Sequence, residues 1–153
     1  MEWIGTWPGA VLLQRSGTAY LLVNAAHILG VALLVGGILP LDLRLAGVFR
    51  GMPLAVIGPF LMRSAAGGLV LALATGLWLF TVKPAEYLAN AAFLWKLALL
   101  ALALVNVGIQ HGNRRFRAAL AGGTPAASVR LVAGCSAMLW LSVLVAGRWI
   151  GFL

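Results

Sequence analysis

Ala19-Tyr20-Leu-Leu-Val-Asn24-Ala-Ala-His27-Ile-Leu-Gly30-Val-Ala-Leu-Leu-Val-Gly36-Gly37-Ile-Leu-Pro40-Leu41 carries no charge from end to end. At a rise of about 1.5 Å per residue, a helix of that length crosses the roughly 30 Å of a hydrocarbon bilayer core. Residues 60–82, 93–111 and 129–151 read the same way, each with one or two basic residues and no acid. Breakers separate the four: Gly51, Pro53, Gly58 and Pro59, then Pro84, then Gly112, Gly122, Gly123 and Pro125. No strand alternation is visible. A helix satisfies its own backbone groups, as any open chain in lipid must. The expected fold is all-α: an integral membrane four-helix bundle forming a single transmembrane domain over 1–153.

Composition agrees with that solvent. The 153 residues are 63% hydrophobic and 9% charged, with a mean hydropathy of +1.04. A water-soluble domain carries roughly 25% charged residues, and in water this chain would expose large apolar patches. Residues 1–17 are too short to span. Trp3, Trp7 and Val11 fall at four-residue intervals, which predicts a short interfacial helix. The first residues lack the basic start and small-residue cleavage site of a signal peptide, so the mature chain is expected to be the whole chain.

The net charge of +8 is not a nucleic-acid signature, because the basic residues cluster at the ends of apolar segments. Arg44, Arg50, Arg63, Arg114, Arg115, Arg117 and Arg130 lie at one set of ends, Arg15, Lys83, Lys96 and Arg148 at the other. The positive-inside rule then puts the first set in the cytoplasm and both termini on the opposite, outer side. Within the second span, Ser64, Gly68, Ala72 and Gly76 form a small-residue stripe at intervals of four, as Ala26 and Gly30 do on the first. Such stripes let helix backbones approach closely.

Polar residues inside the spans are the candidates for function, since lipid makes each costly unless it is paired. Tyr20, Asn24 and His27 share a face at i, i+4, i+7. Lys96, Gln110 and Arg114, with Asn106 close by, share another. His27 and Lys96 fall at comparable depths in the outer half, where one site can hold both. His111 lies roughly 15 Å deeper along straight helices. Both histidines therefore cannot ligate one iron, and His111 is assigned to the interface with the arginines. Asp42 is expected to form a structural ion pair with Arg44, Arg63 or Arg114. Cys135, the one cysteine, reads as a small buried side chain.

The run from His27 through Gly30 to Gly36-Gly37 resembles the first helix motif of the copper-resistance protein D superfamily. The run from Trp95-Lys96 through Asn106 to Arg114-Arg115 is similar to that superfamily's lysine-led helix. The His-then-Lys pairing also resembles the small membrane protoporphyrinogen oxidases, which carry b-type haem. With Asp42-Leu43-Arg44-Leu45, the chain looks like an uncharacterised family of short bacterial inner-membrane proteins. The resemblance implies His27 as haem or metal ligand and Lys96 as its partner, a lysine suited to pair with a haem propionate.

Three readings follow. The first is a haem-binding or redox-associated protein with haem b on His27, Gly30 leaving room for the macrocycle and Lys96, Asn24 and Tyr20 completing the site. The second is a non-catalytic assembly or accessory subunit, bound to a membrane partner or to a second copy of the chain. The third is a copper or small-solute permease; copper favours sulfur ligands, and Met52, Met62, Met138 and Cys135 form no repeated motif. No hydrolase elbow, P-loop, dinucleotide fingerprint or carboxylate pair is present.

Overall fold

The computed structural model describes residues 2–48 and 51–152, with Glu2 and Trp3 described by their backbone alone. Arg50, counted among the arginine-end cations, and the Trp3 side chain of the N-terminal stripe lie outside the described residues.

Two short helices, α1 (Glu2–Thr6) and α2 (Pro8–Arg15), stand where one interfacial helix was expected. The break falls at Trp7, held in extended backbone by the following proline. Helix α2 is fastened to the bundle: Trp78 Nε1 donates to the Gly9 carbonyl at 3.0 Å, and Gln14 Nε2 donates to those of Gly5 and Val82.

Helix α3 (Gly17–Ala46) starts at Ser16, whose hydroxyl accepts from the Ala19 N–H at 3.2 Å. It ends at Gly47, whose φ of 103° is the left-handed conformation that closes many helices. It contains Pro40 and runs five residues past Leu41, where the expected span ended. Helix α4 (Leu54–Phe80) starts six residues before the expected 60–82 and contains Pro59 in its second turn. A proline there removes one hydrogen bond close to a terminus whose first donors are unpaired in any case. It breaks nothing.

A short α5 (Pro84–Ala89) leads to α6 (Ala91–Gly112), whose N-cap Asn90 accepts from the N–H groups of Ala92 and Phe93. Asn113 interrupts the chain and caps α7 (Arg114–Leu120), so Arg114 does not continue the α6 face carrying Lys96, Asn106 and Gln110. Helix α8 (Ala127–Trp149) follows, then a 3₁₀ turn over Ile150–Phe152.

The long helices pack in the order α4, α3, α8, α6. The α3–α4 seam is a glycine contact: a Cβ on Gly30 would stand 2.6 Å from the Ala72 nitrogen, and one on Gly37 2.7 Å from the Leu61 oxygen. Gly30 therefore serves helix approach, and the room expected there for a macrocycle is filled by α4 backbone. At mid-bundle Leu34, Ile38, Ala65, Ala103 and Trp140 close into one core drawn from all four long helices. A second core, with Leu41, Leu45, Leu54, Phe116 and Val129, seals the arginine end.

The outward faces are apolar, with Phe60 71% and Trp95 69% exposed. Four helices are long and apolar enough to cross a membrane. Their exposed leucines, valines and aromatics form the surface that lipid would wet.

Candidate functional site

His27 projects from α3 across the glycine seam. Its Nδ1 lies 3.0 Å from the Ala72 carbonyl oxygen and 3.1 Å from Thr75 Oγ1. A carbonyl can only accept, and the Thr75 hydroxyl donates its hydrogen to the Leu71 carbonyl at 2.6 Å. Both partners therefore require Nδ1 to carry a proton, which fixes the tautomer and leaves the lone pair of the neutral ring on Nε2. Gly76 makes the space for the ring: a Cβ there would come within 3.0 Å of His27 Cε1.

Lys96 reaches the same half of the bundle from α6. Its chain lies against Gly147 of α8, where an added Cβ would stand 3.5 Å from Nζ. His27 and Lys96 therefore share the terminal half of the bundle, and among the described residues no hydrogen bond joins them. Tyr20 and Asn24 are not brought in with them. Tyr20 neighbours Tyr87 at the terminal end, beside the Phe80, Tyr87 and Phe93 rings, while Asn24 is exposed on the helix surface. Burial, followed by the Tyr20 neighbour and Glu86, pushes the Tyr87 phenol above its usual range.

The expected ion pair is absent. Asp42 is buried, and among the described residues its Oδ2 has no hydrogen-bond partner. Arg44 turns instead to the Met52 carbonyl, which its Nε reaches at 2.6 Å in the following loop. Arg63 and Arg114 are exposed, where long cationic side chains keep their heads in polar surroundings. Among the described residues the one ion pair is Lys83–Glu86 at 3.0 Å, on the surface. His111 is exposed at the arginine end, its Nδ1 donating to the Val107 carbonyl of its own helix. Cys135 is partly buried.

Among the described residues no three His, Cys, Asp or Glu side chains converge on a metal position. A single imidazole suits a metal that brings its own equatorial ligands, as haem iron does. Sequence reading missed Thr75, Gly147, Ser136 and Trp140. Thr75 and Ser136 were visible as hydroxyls within apolar spans; Gly147 and Trp140 carried no such mark.

The fold defines the class: a small all-helical bundle with four helices of membrane-crossing length and apolarity. The chain belongs to the family of unknown function DUF6644, whose pattern matches residues 1–153. No curated protein and no solved structure matches it.

Proposed function

We propose that this is a bacterial inner-membrane protein whose His27, in the periplasmic half of the bundle, would ligate haem b, with Lys96 supplying a cation in the same half. The reading rests on one observation: His27 Nδ1–H is tied to the Ala72 carbonyl and Thr75 hydroxyl, leaving Nε2 as the ligating atom. Metal-binding histidines are oriented by such a bond from the other ring nitrogen. Bound haem would supply one-electron redox chemistry. The chain's own part is to present Nε2 in a fixed tautomer and to hold the Lys96 ammonium where a propionate can pair with it.

The donor chemistry fits; a macrocycle resting on Gly30 does not, because α4 occupies that surface. The resemblance to the copper-resistance protein D superfamily and to membrane protoporphyrinogen oxidases selects the same two residues. The orientation, with both termini periplasmic, rests on the arginine end, where Arg114, Arg115 and Arg117 stand exposed on α7 beside exposed Arg130. A permeation route is disfavoured because fully buried Ala103 and Trp140 close the middle of the bundle.

The test is an absorption spectrum of detergent-purified protein produced with haem supplied. A Soret band that disappears in His27→Ala is the expected result. A protein without the band, or a band indifferent to His27→Ala, overturns the reading.

A second reading, the accessory subunit, is favoured by a groove of about 510 Å³ between α6 and α8, walled by Ala91, Ala92, Val145 and Ala146 and flanked by Trp95 and Trp149. It fits a partner's apolar helix. Stable co-purification with another membrane protein, unaffected by His27→Ala and Lys96→Met, would favour it over the haem site.

A further inference from the structure

The arginine-end half of the α3–α8 seam contains buried polar atoms that no protein group satisfies. Asp42 is 5% exposed, and its Oδ2 has no hydrogen-bond partner. Trp140 is 1% exposed, and its indole Nε1 has none either. The two belong to neighbouring rungs. Leu41 and Leu45 of α3 pack with Val129 and Ala133 of α8, and one turn further in Ile38 packs with Trp140, which sets Asp42 at the level of Ser136. Adjacent rungs are about 5.4 Å apart along the axis, and a water between them would have the indole N–H, the carboxyl and the Ser136 hydroxyl as partners. Two to four partners are what a buried water needs.

Among the described residues no cation pairs with the carboxyl. On its own helix Arg44 is engaged by the Met52 carbonyl. On α8 Arg130 donates to the Ala46 carbonyl, on α4 Arg63 is exposed, and on α6 His111 is exposed as well. Helix α7 buries Phe116 and turns its arginines outward. An unpaired carboxylate in an apolar interior is far costlier than the neutral acid. A bound metal ion is disfavoured too, since the Trp140 N–H offers a donor where a cation needs lone pairs.

The arginine end is the nearer surface. Asp42 lies four residues, about 6 Å, from the end of α3, whereas Leu34, Ala103 and Trp140 close the other direction. Ser128 in the first turn of α8 and Gln110 near the end of α6 each leave a buried oxygen unpaired in that half of the bundle.

We propose that Asp42, Ser136 and Trp140 form an internal proton-binding site, in which the Asp42 carboxyl takes up a proton from the arginine end and one water links it to the indole. Nothing here depends on the His27 reading. Asp42 is the only aspartate in the chain, so aspartate labelled with ¹³C at the side-chain carboxyl reports this site without mutation. Infrared spectra of the labelled protein in lipid vesicles at neutral pH should show the isotope-shifted carbonyl band of a neutral, hydrogen-bonded acid. Alkaline buffer should convert it to the carboxylate bands, and Trp140→Phe should move its frequency. Labelled bands of an ionised carboxylate at neutral pH would overturn the proposal. So would a neutral-acid band indifferent both to buffer pH and to Trp140→Phe. If Trp140→Phe does not accumulate, Ser136→Ala provides the second perturbation, with the same readings.

Discussion

The His27 Nδ1 and the Ala72 carbonyl oxygen, 45 residues apart in the chain, meet at 3.0 Å across the α3–α4 seam, with the Thr75 hydroxyl 3.1 Å from the same nitrogen. The ring is held by two acceptors, and only one of them is a side chain. Thr75→Val keeps the shape and the Ala72 bond while removing the other. The expected loss is about 0.5–1.5 kcal/mol, toward the lower end because hydrogen bonds between membrane helices average roughly 0.6 kcal/mol. Denaturant titration of the reconstituted protein measures it. Destabilisation of several kcal/mol would mean that the hydroxyl, not the carbonyl, is the principal anchor.

Gly67 and Gly68 are neighbours with opposite surroundings. A Cβ on Gly68 would collide with the Leu34 nitrogen and stand 2.6 Å from the Gly30 oxygen, whereas one on Gly67 meets nothing within 4 Å. Gly68→Ala must push α3 and α4 apart, at a cost of about 1–3 kcal/mol. Gly67→Ala should be neutral or slightly stabilising, since alanine is the better helix former by roughly 1 kcal/mol. Thermal unfolding of the two variants side by side checks this. Equal midpoints would refute the close approach of the seam.

That seam also shows what the sequence made legible. The stripe Ser64, Gly68, Ala72, Gly76 announces a close helix contact, because missing side chains need no partner to be recognised. Its register against Gly30 and Gly37 is a relation between two segments, so the Thr75–His27 contact could not be read from either alone. One helix start shifted where a proline was read as a breaker: Pro59 lies inside α4. The expected Asp42 ion pair is not among those of the described residues. Charge complementarity names candidate partners, but Arg44 found a carbonyl eight residues along the chain.

The proposed orientation is testable with single cysteines placed on a Cys135→Ala background. Glu86 and Thr124 are both exposed, one beside α5 at the terminal end, the other in the connection between α7 and α8. In intact cells a membrane-impermeant maleimide should label Glu86→Cys and leave Thr124→Cys unlabelled until the membrane is opened. The reverse pattern would invert the topology and move the His27–Lys96 pair to the cytoplasmic half.

Tyr87 makes the terminal end sensitive to alkali. Burial disfavours the phenolate, and the Tyr20 hydroxyl and the Glu86 charge act in the same direction, so the phenol titrates above the ordinary value of 10.0. A raised value in the folded state means a contribution to stability that is whole below the unfolded value and is lost as pH rises through the folded one. Wild-type thermal stability should therefore be insensitive to this group at neutral pH and fall once the buffer passes about pH 10. Tyr87→Phe removes the ionisation and the hydroxyl beside Tyr20 while retaining the ring that packs 5.3 Å from Phe93. Its midpoint should lie slightly below wild type at neutral pH, and the gap should narrow or reverse in alkali. Parallel pH curves for the two proteins would show that Tyr87 stays unionised throughout or ionises alike in both states, and the alkaline loss would then belong to another group.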